Sequence, residues 1–472
     1  MKQLVAQLMD RGIIVTSDLL ERLADEGARV RVAEYLRKNP HASSIEPAFD
    51  QEDGSYVNPI IIIAPEMFTT DPQPFTLQGF TSYFRSRYKT LAGMLSHHPA
   101  LASAVSIAKL APGRQGAVIG MLANKRVAKT GSIILDVEDL TGSLKCMVKA
   151  DAACAKKAAN LTEDTVVGLV GHAGKGVLFC NDIILPDLPV TTTIKKGPRE
   201  SYAIFLSDLH VGSNNFLAGE FDAFLDWMAG KEGTPEQRRI ASLVRYVFIA
   251  GDLVDGVGVY PNQEDELVIK DIREQYEECA RLLSRIPQDK TIVVSPGNHD
   301  YVRIAEPQPR LDERYAASLL AMPNLISVTN PAYLSFERMS GFPGFDILLY
   351  HGNSFDHYFA NMDVIRMAGG YDRSDLLMRY LLRVRHLAPT YSSTQLMPLA
   401  DRDPLVVRRV PDFFVTGHIH KSNVSTYRGV TMISGSCFQS TTAFQERVGH
   451  KPEPGYVPCV NLQTRQITVM RF

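Results

Sequence analysis

The chain has little of several things, and each scarcity excludes a class of protein. Its 472 residues include six cysteines (Cys146, Cys154, Cys180, Cys279, Cys437 and Cys459) and no C-x-x-C pair. Neither a zinc ribbon nor a thioredoxin-like motif is therefore encoded, and thiols this sparse suit a reducing cytosol. No apolar run reaches the ~18 residues that mark a membrane-spanning helix; the longest candidate, between Pro59 and Pro65, is a short isoleucine stretch. Met1-Lys2-Gln3 leads into Asp10 and Arg11 without a long apolar segment, so no secretory leader is expected and the expected location is the cytoplasm, away from membranes. Charge of one sign is missing too: 50 Lys+Arg against 52 Asp+Glu leave a net charge of −2. Bulk electrostatics announces no nucleic-acid partner, although a local patch can hide in a neutral total. What is present is an ordinary globular composition, 45% hydrophobic and 22% charged, which excludes a disordered, collagen-like or coiled-coil chain. At ~150 residues per domain the length points to about three domains.

Residues 1–40 carry apolar stripes at helical spacing: Leu4, Val5 and Leu8, then Leu19, Leu20 and Leu23, then Val32, Tyr35 and Leu36. This predicts a small helical accessory domain closed by Pro40. Residues 41–100 read as a linker, proline-rich at first, with Ile60–Ile63 able to pair as a strand. From Phe75 to Leu95 helical spacing returns in a basic aromatic helix, whose Arg85, Arg87 and Lys89 are read as a solvated face before a phosphate-binding one. Residues 101–196 hold five short strand patterns, with a turn at Asp139-Leu140-Thr141-Gly142 and an alanine-rich break. That rhythm predicts an OB-type β-barrel. Its 12 Lys+Arg against 8 Asp+Glu are a mild basic excess, but Phe179 is its one aromatic, so a base-stacking platform is nearly absent and protein docking is the favoured role. Residues 197–472 alternate apolar β-type runs with helical stretches, the pattern of a layered α/β domain.

Chemistry concentrates in five clusters, each placed after such a run. They are Ser207-Asp208-Leu209-His210, Gly251-Asp252-Leu253-Val254-Asp255, Gly297-Asn298-His299-Asp300, His351-Gly352-Asn353 and Gly417-His418-Ile419-His420. In α/β folds ligands bind beyond the carboxyl ends of strands, so the five would converge on one rim. Asp, Asn and His together suit Mn, Fe, Zn or Mg rather than soft copper sites. One D-x-H or G-H-x-H is weak alone; five in order after strands are not. His41, His97, His98, His172, His357, His386 and His450 are read as structural.

In these motifs the chain resembles the calcineurin-like metallophosphoesterase superfamily, which implies an α/β sandwich for residues 197–472 and a two-metal site. Carried over by position, the resemblance implies that Asp208, His210 and His420 hold one cation and that Asn298, His351 and His418 hold the other. Asp252 would bridge both, and His299 would be the catalytic acid. Asp255 would orient His299 or serve as a structural hydrogen bond. More narrowly, SDLHVGS (207–213), GDLVDGVGVY (251–260), VRIAEPQP (302–309) and GGYDRSDLLMRYLL (369–382) resemble the small-subunit family of archaeal family-D DNA polymerases. That resemblance implies a 3′→5′ exonuclease acting on single-stranded or mismatched DNA ends, with two divalent metals, Mn before Mg, Fe or Zn. It also implies a large polymerising subunit as partner, with contact to a sliding clamp open. Arg366, Arg373 and Arg379, with Arg383 and Arg385, could neutralise a DNA backbone, or else solvate a helix or meet the large subunit. Two other readings remain at this stage, a stand-alone phosphoesterase on nucleotides or small diesters and a non-catalytic scaffold.

Overall fold

The structure, a computed structural model, describes residues 76–190, 193–339, 341–399 and 402–472, with Ile61, Ile62 and scattered positions between residues 4 and 36. The chain divides into two compact units, residues 1–61 with 335–345, and the remainder. In the first unit Leu8, Leu19, Leu23, Val32 and Leu36 form one small buried cluster, so the three stripes meet; Leu20 lies outside the described residues. Ile61–Ile62 is a two-residue strand, and the rest of 41–75 lies outside the described residues.

In the second unit five strands close a barrel, in the order Gln115–Val127, Ile133–Asp139, Gly142–Val148, Val177–Ile184 and Val166–Ala173. Period-two patterning turns one face of each strand inward: Ile133, Leu135 and Val137 are buried, as are Leu144, Cys146 and Val148. Asp139 fixes the turn between these strands, its carboxylate accepting the Thr141 and Gly142 N–H groups at 2.7 and 3.0 Å and that of Ile107 at 2.8 Å. The helix Leu77–Leu95 starts at Thr76, whose hydroxyl accepts the Gly79 N–H at 3.0 Å. It packs Leu91 and Leu95, with Leu101, on Ala117, Met121 and Val166 of the barrel. Arg87 departs from the expected solvated or phosphate-facing role. It is 1% exposed, paired with Asp403 at 2.6 Å and donating to the Pro389 carbonyl at 2.5 Å. Asp403 also meets His386 Nε2 at 2.8 Å, so a buried cluster of charges joins this helix to the C-terminal region.

That region is a layered α/β arrangement. One sheet runs Leu325–Ser327, Thr291–Ser295, Val244–Ala250, Tyr202–Leu206, Tyr456–Asn461, Ile467–Arg471, the first four strands parallel. A second carries Phe345–Leu349, Phe413–Thr416 and Val430–Ser434 in parallel, then Asn423–Tyr427 antiparallel. The inner faces meet at Phe205, stacked on Phe248 at 5.5 Å and 5.7 Å from Phe413. Helices Ala218–Met228 and Ile272–Leu283 pack on the first sheet, and Phe355–Asn361 and Ser374–Val384 on the second. Central strands covered on both faces read as continuous apolar runs, which leaves polar residues to the strand ends. Among the described residues no helix is long and apolar enough to cross a membrane.

Candidate metal centre

The loops after the strands are tied to one another. Asp208 N–H donates to the Gly251 carbonyl at 2.9 Å, His210 N–H to that of Asp252 at 3.1 Å, and Gly417 N–H to that of His351 at 2.8 Å. His418 N–H donates to both Asp208 carboxylate oxygens at 3.0 Å. Two glycines are required by close approach rather than by turning alone. A Cβ on Gly297 would stand 2.7 Å from Asp252 N and from His351 Cε1, and one on Gly417 2.6 Å from Asp208 Oδ2.

All seven expected ligands meet here. Asp208, His210 and His420 offer donor atoms within 4.8 Å of one another, as do Asp208, Asp252 and His351. His351 Nδ1 lies 2.8 Å from the Ala250 carbonyl, which can only accept, so Nδ1 carries a hydrogen. Its Nε2 faces Asn298 Oδ1 at 3.0 Å and Asp252 Oδ2 at 3.2 Å. His418 Nδ1 reaches the same Asn298 oxygen at 2.9 Å, while its Nε2 lies 3.0 Å from Asp356 Oδ2. Two imidazole nitrogens thus converge on one amide oxygen beside a carboxylate, a set that protons or a cation must hold together. Although burial opposes it, Asp252 and Asp208 push His351 up to about 10. Despite its own burial, Asp252 is held well below the carboxylate range by His351 and His299.

On the other side His210 Nε2 is 3.0 Å from His420 Nε2 and 3.8 Å from Asp252 Oδ2. His420 Nε2 is 3.5 Å from Asp208 Oδ1. One Asp252 oxygen therefore lies between the two histidine groups. These Asp and His groups are ones that could hold a hard-to-borderline divalent cation.

His299 N–H donates to Asp252 Oδ1 at 2.8 Å, and its Nδ1 meets the Asp255 main-chain carbonyl at 2.7 Å. It also forms a group of close donors with His210 and Asp252, so it lies at the edge of the ligand cluster. Burial lowers its pKa, against the pull of Asp252. Asp255 touches His299 only through that carbonyl. Its carboxylate takes His210 Nδ1 at 3.0 Å, Gln439 Nε2 at 2.8 Å and Gln263 Nε2 at 2.9 Å, so of the two expected roles its main chain faces His299 and its side chain makes structural hydrogen bonds.

Sequence reasoning missed several residues. Asp300, quoted in the G-N-H-D run but given no role, ties the loops by accepting the Gly297 and Leu253 N–H groups at 2.9 and 3.3 Å; burial and Asp252 push it up to about 7. Asp356, Gln263, Gln439 and Gln445 carry no local motif that could have revealed them. A cavity of about 250 Å³ opens over the cluster, bordered by Tyr260, Gln445 and His450. Of the five arginines, Arg366 and Arg379 are exposed. Arg366 pairs with Asp363, and Arg373 with Asp375 at 2.8 Å. Arg385 is buried and donates to the Arg408 carbonyl at 2.9 Å, while Arg383 meets Asp187 at 3.4 Å. These last two are engaged within the protein rather than held out for a DNA backbone.

Residues 203–425 match the family of the DNA polymerase alpha/epsilon B subunits, a class of polymerase subunits. The DNA polymerase II small subunit of Methanothermobacter thermautotrophicus is 35% identical over 464 residues, covering 96% of this chain and 93% of that one. That of Pyrococcus furiosus is 36% identical over 398 residues, 83% of this chain and 63% of the relative. The chain belongs to the archaeal DNA polymerase II small subunit family. Among solved structures, a novel archaeal phosphodiesterase matches 57% of this chain and 99% of its own at 12% identity, with a TM-score of 0.26.

Proposed function

We propose that this chain is the 3′→5′ exonuclease of its polymerase, hydrolysing single-stranded or mismatched DNA ends. The observation that carries the reading is the convergence of His351 Nε2, His418 Nδ1 and Asn298 Oδ1 beside Asp252 Oδ2. Asp208, His210 and His420 would hold one cation and Asn298, His351 and His418 the other, with Asp252 shared. Two such cations polarise a phosphoryl oxygen, lower the pKa of water and neutralise charge on the attacking and leaving oxygens. Manganese fits the donor set and is the first choice; Mg, Fe and Zn are the alternatives. His299, with Nδ1 committed to the Asp255 carbonyl, keeps Nε2 to protonate the leaving 3′ oxygen. A phosphodiester anion beside it raises a pKa that burial has lowered.

In this reading the chain comprises a helical accessory domain (1–40), a linker with the basic helix (41–100), an OB-fold domain (101–196) and a metallophosphoesterase domain (197–472). Arg366, Arg373 and Arg379 contact the DNA, and a sliding clamp is a further partner. With net charge −2, most DNA affinity comes from the large subunit. The test is digestion of 3′-labelled single-stranded DNA with manganese by the full chain, alone and with its large subunit. Shortening from the 3′ end is expected, falling by about 10²-fold or more in Asp252→Ala and His299→Ala that remain folded. A wild type inert in both forms would rule out the nuclease.

A further inference from the structure

We propose that Asp356 and Tyr371 are positioning residues for His418, together setting which ring nitrogen it presents to a cation. The inference rests on the metal-site reading above and names residues outside its ligand set. Asp356 Oδ2 lies 3.0 Å from His418 Nε2, and the Tyr371 hydroxyl donates to Asp356 Oδ1 at 2.7 Å. The two carboxylate oxygens are thus divided between one imidazole and one phenol. With the Tyr371 hydroxyl donating to Oδ1 and the His418 ring facing Oδ2, the Asp356 carboxylate is placed to accept at both oxygens. Nε2 then carries a hydrogen, which leaves Nδ1, 2.9 Å from Asn298 Oδ1, as the nitrogen that would face a cation. A carboxylate behind a metal-binding histidine also raises the basicity of the nitrogen opposite.

Tyr371 supplies what Asp356 lacks. The Asp356 side chain is half exposed, at 53%, and a carboxylate so placed would otherwise swing into water. The phenol ring lies 4.5 Å from Phe359 and 4.1 Å from His450, which holds its hydroxyl on Asp356. Its neighbour Asp372 pairs with Lys421, next to His420, at 2.6 Å. The turn Gly370–Arg373 is therefore tied to the G-H-x-H loop at two points.

Manganese titration of the full chain by calorimetry tests this. The wild type is expected to take two ions. Asp356→Ala should bind at one of the two about 10–100-fold more weakly, with the other unchanged, and Tyr371→Phe should weaken that same site by less. Excess manganese should restore kcat in both, and the chelator-treated variants should melt with the wild type. Two-ion binding by the wild type with unaltered affinity in Asp356→Ala overturns this inference and leaves the metal site standing; a wild type that binds no ion overturns both. A lowered melting point with normal affinity makes the pair structural only and overturns it as well. Should Asp356→Ala fail to fold, Tyr371→Phe, which removes a single oxygen, decides by the same titration.

Discussion

Asp208, His210, Asp252, His418 and His420 all stand on left-handed backbone, with φ between 52° and 73°. Such positions cost about 1–3 kcal/mol each for residues with a Cβ, so something must hold them. The holding groups are the neighbouring loops: Asp208 and His210 donate to the loop that carries Asp252, and His418 donates to Asp208. Residue identity and position thus depend on one another. The Asp255 side chain shows the same dependence, since it serves His210 while its carbonyl serves His299. Asp255→Asn is therefore expected to weaken manganese binding about 10–100-fold and to leave kcat near normal once manganese saturates. A carboxylate acting on His299 would instead lower kcat with metal affinity unchanged, and manganese-dependent kinetics separate the two.

At the scale of elements, the strands and the barrel hairpins follow from short-range patterning, and so does the helix Leu77–Leu95. How that helix attaches does not. Arg87 sits on it among basic neighbours, and only the fold shows the Asp403 carboxylate waiting 316 residues away. Removing one member of a buried pair leaves the other uncompensated, so Arg87→Met should cost about 3–5 kcal/mol in urea unfolding. His386 in the same cluster gives a pH signature. Burial and the Arg87 charge lower its pKa to about 4, whereas the unfolded chain takes up this proton near 6.5. The unfolded state binds more protons between those values, so stability falls as pH drops through that window, by about 3 kcal/mol from this group. Urea unfolding at pH 7 and pH 4.5 should show a smaller difference in His386→Gln than in the wild type. Equal differences would exclude His386 as the source.

For the whole molecule, the separation of core from site has a consequence. The proposed ligands, although Asp208, His210, Asp252 and His351 are buried, stand beyond the strand ends and outside the strands that build the sheets and the barrel. Chelation is therefore expected to abolish hydrolysis while leaving far-UV circular dichroism and co-purification with the large subunit unchanged. Release of the large subunit on chelation would mean that the ions also support the interface. A charge of −2 takes on meaning at this scale as well. With Arg383 and Arg385 engaged internally, fewer cations of that stretch remain for DNA, which agrees with the proposal that most DNA affinity comes from the large subunit.

Alone, the sequence determined the five-stranded barrel, the apolar strands and the residue types at their ends, because each is a local signal: period two, continuous apolar runs, glycine beside a ligand. It also determined the family, because those clusters come in a fixed order. Tertiary structure decided which atoms face which. Asp356 and His418, Arg87 and Asp403, and Gln439 and Asp255 are each separated by 62 residues or more, and no local pattern encodes such pairs. Tautomer, backbone strain and the direction of an arginine are set by what the fold brings alongside, a matter of packing and hydrogen-bond partners rather than of spacing along the chain.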